Sequence, residues 1–171
     1  MSGTKAFKKT ICLDFDGVVH SFDSGWKGPR KIDDLIVPGA INFMADLICA
    51  DFEVAILSAR SGAIGGRRAM KKWLYDQVVT FLENERAMKT PAIHKLLTEE
   101  GAASYEPWYN VVRDTAQKLV YKQIKWPRHK PPAVVYIDDR AHLFTGKWPS
   151  IDELKDFRPW NKQIFGDSSH E

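Results

Sequence analysis

The pattern of apolar and polar positions along the chain predicts three short strands that are buried on both faces. The predicted strands cover residues 10–15, 52–58 and 133–139, and each contains a continuous apolar run. Such runs are typical of strands in a parallel sheet, because helices cover both faces of a sheet of this kind.

Amphipathic segments between and after these runs predict helices. One helix is expected directly after Pro38, because proline suits the first helical position. The stretch 78–82 fits either a helix or a strand, and periodicity does not decide between them. The predicted helices follow Pro38, follow the glycine-bearing loop 58–68, run from Pro91 to Gly101 within a polar insertion over 83–106, and cover about 108–125.

The alternation of strand and helix predicts an α/β, Rossmann-like fold with a mostly parallel sheet flanked by helices. Ligands of such sheets bind at the carboxyl ends of the strands. All three predicted strands end in polar residues: Asp14 and Asp16, then Ser58, then Asp138 and Asp139. We therefore expect these five residues to meet at one edge of the sheet.

Length and composition are those of an ordinary globular protein, and we expect residues 1–171 to form a single domain. The chain is 44% hydrophobic and 27% charged, and its formal net charge of +3 does not by itself indicate nucleic-acid binding. Cys12 and Cys49 lie in apolar segments and are expected to be reduced core residues. With no signal peptide and no apolar membrane span, a cytoplasmic protein is expected.

The paired aspartates after the first strand need a neutralising partner, because buried unpaired charges are costly. Residues two apart on a strand share a face, so Asp14 and Asp16 should lie on the same side unless the turn at Gly17 redirects Asp16. Asp138 would complete a cluster of carboxylates, which repel one another unless a cation lies between them. Oxygen ligands in this number suit Mg²⁺, the predicted cofactor.

A carboxylate beside a metal-bound phosphate is placed for nucleophilic attack, which would give an aspartyl-phosphate intermediate on Asp14. Asp16 can protonate the leaving alcohol and later activate water. Ser58 and the backbone N–H groups of Ala59 and Arg60 can donate to the phosphate oxygens. A lysine should offset the negative charge, and the candidates, in order of preference, are Lys130, Lys125 and Lys122.

The segments DFDGVV, ILSAR and KPPAVVYIDDRA, in that order, resemble the haloacid dehalogenase (HAD) superfamily of phosphohydrolases over about half of the chain. The resemblance implies that Asp14 is the nucleophile and Asp16 the general acid/base. It also implies Mg²⁺ held by Asp14, the Asp16 carbonyl and Asp138, with Asp139 supporting the site. Dehalogenase members lack the second aspartate, so Asp16 favours phosphate ester chemistry.

The segments SAR and IDDRA are similar to parts of the phosphatase domain of phage polynucleotide kinase-phosphatases and of small phage or bacterial HAD proteins. This similarity implies that Arg60 and Arg140 bind the substrate phosphate or brace the loops. The chain has no G-x-x-x-x-G-K-[ST] loop, so a kinase half is not expected.

A full HAD cap does not fit between Asp14 and Ser58. Residues 20–37 are instead predicted to form a flap, with Trp26 near the entrance as a substrate-binding residue. Residues 83–125 are predicted to form a small helical insertion, which either covers the site or contacts a second copy of the chain. A nearly open site would admit a large substrate, such as a phosphorylated nucleic-acid end.

The sequence thus predicts a Mg²⁺-dependent phosphatase acting on a nucleotide or a phosphorylated nucleic-acid end. Two alternatives stay open: a phosphatase of small metabolites such as sugar phosphates, and a non-catalytic HAD-like binding module. Simpler roles also exist for single residues. Ser58 can cap the next helix, Arg60 and Arg140 can form structural ion pairs, and His20 is interpreted as a satisfied or surface histidine without ligand spacing.

Overall fold

The structure is a computed structural model that describes residues 8–84, 91–101, 108–141, 149–151, 154, 158 and 160. Within these residues the chain forms four strands and four α-helices. In chain order they are β1 (Thr10–Asp14), α1 (Ala40–Cys49), β2 (Glu53–Leu57), α2 (Gly66–Glu83), α3 (Pro91–Gly101), α4 (Trp108–Lys118), β3 (Ile124–Lys125) and β4 (Val135–Ile137). A 3₁₀-helix (Ala59–Gly62) follows β2, and a π-helical segment (Leu119–Gln123) follows α4.

The four strands form one parallel sheet in the order β3-β2-β1-β4. Strand β1 lies between β2 and β4, and its first four residues are buried. The architecture is therefore α/β with a parallel sheet flanked by helices, which is compatible with a Rossmann-like fold.

The three strands that the apolar runs predicted are all present, but the third is shorter than expected. Only Val135–Ile137 pair with β1, whereas the prediction covered residues 133–139. Two of these three residues are exposed, since β4 is an edge strand among the described residues. The apolar run at this position therefore overstates the length of the strand.

Helix α2 resolves the ambiguity over residues 78–82, which are helical. Its buried residues follow the helical period and face the core: Met70, Leu74, Val78 and Leu82. Helix α1 likewise buries Ile41, Met44 and Ala45. It begins two residues after Pro38, because Gly39 in the left-handed conformation precedes its first residue.

The prediction of one helix over 108–125 is wrong at its carboxyl end. Helix α4 ends at Lys118, the chain continues as a π-helical segment, and Ile124–Lys125 then form strand β3 beside β2. Two residues are too few to produce a strand pattern in the sequence, and their pairing depends on β2. The sheet therefore has a fourth strand that the sequence did not reveal.

The described part of the 83–125 insertion contributes to the main core. Helix α3 begins at Pro91 and ends at Gly101, as predicted. Its buried apolar residues and those of α4 belong to the same core cluster as β1 and α2: Ala92, Ile93, Leu96, Leu97, Val112 and Ala116. These helices are thus packed against the sheet domain.

Beyond residue 141, the structure describes residues 149–151, 154, 158 and 160. Cys12 and Cys49 are free thiols, the first buried and the second half-buried. Among the described residues, no helix has both the length and the apolar character needed to cross a membrane.

Candidate active site

The carboxyl edge of the sheet brings together the polar residues that follow three strands. In the register of the sheet, Asp14 pairs with Leu57, and Leu13 pairs with Ile137. Ser58 and Asp138 come directly after these two partners, so both lie at the same edge as Asp14. The sequence prediction of a shared polar edge is therefore confirmed.

Three carboxylates form a cluster at this edge. One oxygen from each of Asp14, Asp138 and Asp139 lies within 4.8 Å of the others. The side chain of Asp139 is 0% exposed, and among the described residues neither of its carboxylate oxygens accepts a hydrogen bond; Arg140 Nε forms a longer ion pair with Oδ2, at 3.6 Å. Buried polar atoms are normally paired at hydrogen-bond distance, so a cation within this cluster would satisfy these oxygens.

Gly17 makes room for Asp139 in this cluster. A Cβ atom on Gly17 would lie 2.4 Å from Oδ2 of Asp139, well inside van der Waals contact. Gly17 also has φ +92°, a conformation that costs energy for any residue with a side chain. The glycine of the DFDG segment is therefore needed both for the turn and for the close approach of Asp139.

The electrostatics of the cluster favour a bound cation. Burial is the main cause that raises the pKa of Asp14 to about 7; repulsion from Asp138, Asp16 and Asp139 contributes to the rise, and the Phe15 N–H that bonds to it at 2.7 Å partly opposes it. Burial also raises the pKa of Asp139. Hard oxygen donors of this kind suit Mg²⁺ or Ca²⁺, and the geometry does not distinguish between them.

Asp16 lies at the same edge but has a different set of partners. Its carboxylate accepts hydrogen bonds from Arg60 Nε at 2.8 Å, from Ser58 Oγ at 3.0 Å and from Arg60 Nη2 at 3.0 Å. The ring nitrogen Nδ1 of His20 lies 3.0 Å from its Oδ1. Among the described residues, the candidate metal group thus contains Asp14, Asp138 and Asp139, all three of which the sequence assigned to the site, but not the side chain of Asp16.

These partners decide the charge state of Asp16. Burial acts to raise its pKa, but the hydrogen bonds from His20, Arg60 and Ser58 and the charge of Arg60 outweigh burial, so the net pKa is lowered. Asp16 is therefore a carboxylate at neutral pH in this conformation, and its charge is compensated by protein groups.

Arg60 is fully buried and joins Asp16 to the 20–37 connection. Its Nη1 donates to the carbonyl oxygens of Gly28 at 2.8 Å and of Lys31 at 2.9 Å. Its guanidinium also lies 4.6 Å from the ring centroid of Trp26. These are bracing contacts, one of the two roles predicted for Arg60, and its direct contact with substrate stays a prediction.

Two cavities open beside Asp14. The first has a volume of about 260 Å³ and is lined by carboxylate and hydroxyl groups together with aromatic and cationic side chains. Its lining residues are Asp14, Asp16, Phe22, Trp26, Ser58, Ala59 and Arg140. The second, of about 230 Å³, lies on the β4 side of Asp14 and is lined by Cys12, Asp14, Leu57, Ala59, Tyr136, Ile137 and Asp138. Asp14 and Ala59 contribute to both.

The sequence left two roles open for Ser58, a helix cap and a residue of the candidate site, and the structure shows it in both positions. Its side chain accepts the N–H of Arg60 at 3.1 Å, which caps the 3₁₀-helix, and its hydroxyl donates to Asp16. It also lines the larger cavity. The Arg60 N–H predicted to bind phosphate is therefore engaged with Ser58 in this structure.

The three candidate lysines are all exposed, and none of them makes an ion pair with the acidic cluster among the described residues. Lys130 Nζ lies 4.2 Å from the ring centroid of Tyr136, which lines the smaller cavity. Lys125 Nζ is 3.7 Å from Oε2 of Glu53, at the start of β2 and away from the carboxyl edge. Of the three, Lys130 is the one held beside a cavity-lining residue.

Arg140 lies at the entrance of the larger cavity. Its backbone N–H donates to Oδ1 of Asp138 at 2.8 Å, and its Nε lies 3.6 Å from Oδ2 of Asp139. Its guanidinium is 5.7 Å from the ring centroid of Phe22, and its side chain is 59% exposed. Arg140 is thus partly exposed beside the cavity, and its contact with the substrate phosphate stays a prediction.

Sequence reasoning missed three residues that contact this edge. His20 contacts Asp16, Phe22 lines the larger cavity, and Trp160 donates its indole N–H to the carbonyl oxygen of Gly17 at 2.7 Å. A signal for His20 existed, since it is a polar residue within an apolar stretch four positions after Asp16. Phe22 and Trp160 had no such signal, because their positions depend on the turn at φ +60° and on long-range packing.

In comparisons with known proteins, no family model, no curated protein and no solved structure matched this chain. The class that the fold and edge define is therefore an α/β protein with an acidic candidate metal site at the carboxyl ends of its strands.

Proposed function

We propose that this chain is a divalent-metal-dependent phosphomonoester hydrolase of the HAD type. The observation that carries the proposal is the cluster of Asp14, Asp138 and Asp139, in which the buried Asp139 oxygens accept no hydrogen bond among the described residues, with Asp16 and Ser58 lining an adjoining cavity. The order of the segments DFDGVV, ILSAR and YIDDRA along the chain supports the same class.

Asp14, Asp138 and Asp139 would hold the metal ion, and we propose Mg²⁺ because the donors are carboxylate oxygens and the resemblance to the HAD superfamily implies this cation. When bound, the cation would neutralise the clustered charges and withdraw electrons from the substrate phosphate. The unpaired oxygens of Asp139 fit such a ligand, because they have no protein donor among the described residues.

Asp14 would carry the covalent step. Its free carboxylate oxygen attacks the phosphorus atom, the bond from phosphorus to the substrate oxygen breaks, and the alcohol leaves with a proton from Asp16. Water then attacks the phosphorus of the aspartyl-phosphate, passes its proton to Asp16, and releases phosphate and the Asp14 carboxylate. Ser58 and Ala59 are placed at the same cavity to contact the phosphate oxygens.

The hydrogen bonds of Asp16 favour the second of these steps. As a carboxylate with a lowered pKa, Asp16 is ready to accept a proton from water. To protonate a leaving alcohol Asp16 must first gain a proton, so its lowered pKa makes it a weaker acid for the first step than it is a base for the second.

The larger cavity supports a nucleotide or a phosphorylated nucleic-acid end as substrate. Trp26 and Phe22 line it, and aromatic side chains are common stacking partners for nucleobases. Arg60 covers one face of the Trp26 ring, so a base would use the opposite face. Arg140, with its exposed guanidinium, would contact a phosphate group.

The test is phosphate release with and without Mg²⁺ on a panel of substrates. The panel runs from p-nitrophenyl phosphate through sugar phosphates and nucleoside monophosphates to 3′- and 5′-phosphorylated oligonucleotides. Preference for an oligonucleotide end or a mononucleotide supports the proposed substrate class, and preference for sugar phosphates favours the small-metabolite alternative. No release from any substrate with Mg²⁺ present contradicts the proposal and favours a binding module.

Asp14→Asn tests the nucleophile within the same assay. Because an amide is a poor nucleophile for this step, turnover should fall by about a thousandfold or more. Asp76→Asn is the matched control, since Asp76 lies on α2 and pairs with the exposed Lys72. Retained turnover in Asp14→Asn, with the control also active, would remove Asp14 from this role.

A further inference from the structure

His20 is a buried polar residue enclosed by aromatic rings. Its exposed fraction is 1%. Its imidazole stacks on Phe15 with ring centroids 5.6 Å apart, and the edges of Phe22 and Trp73 meet it at 6.0 and 5.2 Å. A buried imidazole in such surroundings must have both nitrogens paired, or desolvation would be costly.

The hydrogen bonds of His20 specify its tautomer. The backbone N–H of Asp34 donates to Nε2 at 3.2 Å, so Nε2 carries no proton. Nδ1 therefore carries the proton and donates it to Oδ1 of Asp16, 3.0 Å away. His20 thus acts as a fixed donor to one oxygen of the Asp16 carboxylate.

The backbone of His20 fixes the same loop. Its carbonyl oxygen accepts the N–H of Gly17 at 2.7 Å, and its N–H donates to the carbonyl oxygen of Phe15 at 2.8 Å. The chain from Phe15 to His20 is therefore a closed turn around Asp16. The imidazole cannot turn away from Asp16 without losing both its aromatic packing and its bond from Asp34.

We propose that His20 is a positioning residue that holds the Asp16 carboxylate in place to accept a proton from the attacking water. This inference rests on the proposed function and assigns His20 to its second step. In that step, water forms a bond to phosphorus, its proton passes to Asp16, and the bond from phosphorus to Asp14 breaks. Imidazole itself exchanges no proton in the step, because its Nδ1–H remains on nitrogen throughout.

A kinetic comparison separates this role from a structural one. His20→Phe keeps an aromatic ring among Phe15, Phe22 and Trp73 but removes the donor. On p-nitrophenyl phosphate, whose leaving group needs little protonation, kcat should fall by about tenfold to a hundredfold, because a hydrogen bond to a charged group is lost. KM should fall in parallel, leaving kcat/KM nearly unchanged, because only hydrolysis of the aspartyl-phosphate is slowed.

The same variant should show a burst of p-nitrophenol and accumulate phosphorylated protein. His20→Asn is the matched rescue, since the asparagine amide places an N–H donor near the position of Nδ1, and it should recover most of kcat. In an Asp16→Asn background, His20→Phe should change hydrolysis of the aspartyl-phosphate by less than about twofold, because coupled residues are not additive.

Several outcomes would overturn the assignment. They are a fall in kcat/KM without a burst, equal losses in the Phe and Asn variants, or additive effects in the double variant. Should His20→Phe fail to fold, ¹⁵N NMR of the wild-type imidazole decides, because an Nε2–H tautomer would contradict the donor role. A wild-type protein inactive on every substrate would instead refute the proposed function, and the positioning role with it.

Discussion

Asp16 and Asp139 show how two carboxylates at one edge of a sheet can receive opposite environments. The negative charge of Asp16 is compensated within the chain, because Arg60 is fully buried and bonds to both carboxylate oxygens of Asp16. The Asp139 side chain is also buried, but among the described residues it accepts no hydrogen bond and has only the longer ion pair with Arg140, at 3.6 Å. The first arrangement lowers the pKa and the second raises it. At the residue scale, therefore, a cation from outside the chain would stabilise Asp139 more than Asp16.

Gly17→Ala should damage this end of the edge specifically. The added methyl would lie 2.4 Å from Oδ2 of Asp139 and would force a φ of +92° on alanine. We expect the free energy of unfolding to fall by more than about 1 kcal/mol and metal binding to be lost. Urea denaturation and calorimetric titration with Mg²⁺ would measure both effects.

Gly39→Ala is the control, because Gly39 has a similar φ of +86° with no atom within 4 Å of the added Cβ. Gly39→Ala should lower the free energy of unfolding through the same unfavourable φ, but the variant should still bind metal. If both variants bind metal equally well, the close approach of Gly17 to Asp139 has no part in forming the site.

At the scale of elements, the Arg60 side chain joins the 20–37 connection to the sheet edge, in addition to the contact of His20 with Asp16. Arg60 bonds to the carbonyl oxygens of Gly28 and Lys31 while its other nitrogens bond to Asp16. A backbone pairing of Ser21 with Leu35 closes the base of the connection. The position of this flap and the state of Asp16 are therefore coupled through Arg60.

Trp26→Ala tests whether the flap binds substrate. Trp26 is 52% exposed and lines the larger cavity, so its loss should remove contact with the leaving group rather than with the reacting atoms. We expect KM for the preferred substrate to rise by about tenfold, with kcat changed by less than about threefold. Steady-state kinetics on the best substrate of the panel would measure the split.

Leu35→Ala is the matched control for Trp26→Ala. Leu35 is an exposed apolar residue of the same connection, and it lines neither of the two cavities beside Asp14. Leu35→Ala should leave both constants close to wild type. Equal kinetics for the two variants would mean that the flap makes no productive contact with substrate.

At the scale of the whole molecule, the carboxyl edge makes stability depend on pH. The folded protein holds Asp14 with a pKa raised to about 7, above the ordinary aspartate value, and Asp139 is shifted in the same direction. Between about pH 4 and 7 the folded state therefore binds more protons than the unfolded state, and stability falls as pH rises. Asp16 has a lowered pKa, so its contribution is complete above pH 4 and does not vary in this window.

We expect the metal-free protein to lose stability between about pH 4 and pH 7 and Mg²⁺ to restore it at the upper end. Urea denaturation at pH 5, 6, 7 and 8, with EDTA or with Mg²⁺, would measure both trends. Asp14→Asn should flatten the metal-free profile, because it removes a titrating group. A metal-free stability that rises through this range would contradict the raised pKa of Asp14.

The sequence by itself determined the three apolar strands, their alternation with helices and the polar residue at each strand end. A parallel sheet is buried on both faces, so its strands contain continuous apolar runs. The carboxyl ends of its strands lie at one edge in any strand order. The positions of Asp14, Ser58 and Asp138 at one edge could therefore be predicted from the sequence alone. The length of strand β4 and the helical conformation of residues 78–82 could not, because a local sequence pattern does not decide how many residues pair or which period a short apolar run follows.

Only the tertiary structure decided which carboxylates cluster as a candidate cation site and which are paired within the chain. The Asp16 carboxylate is paired within the chain because Arg60 and Ser58, far from it in the sequence, and His20 all bond to it. Strand β3 forms because β2 offers it an edge. Both outcomes depend on contacts between segments far apart in the chain, and those contacts set the charge of each side chain through its neighbours.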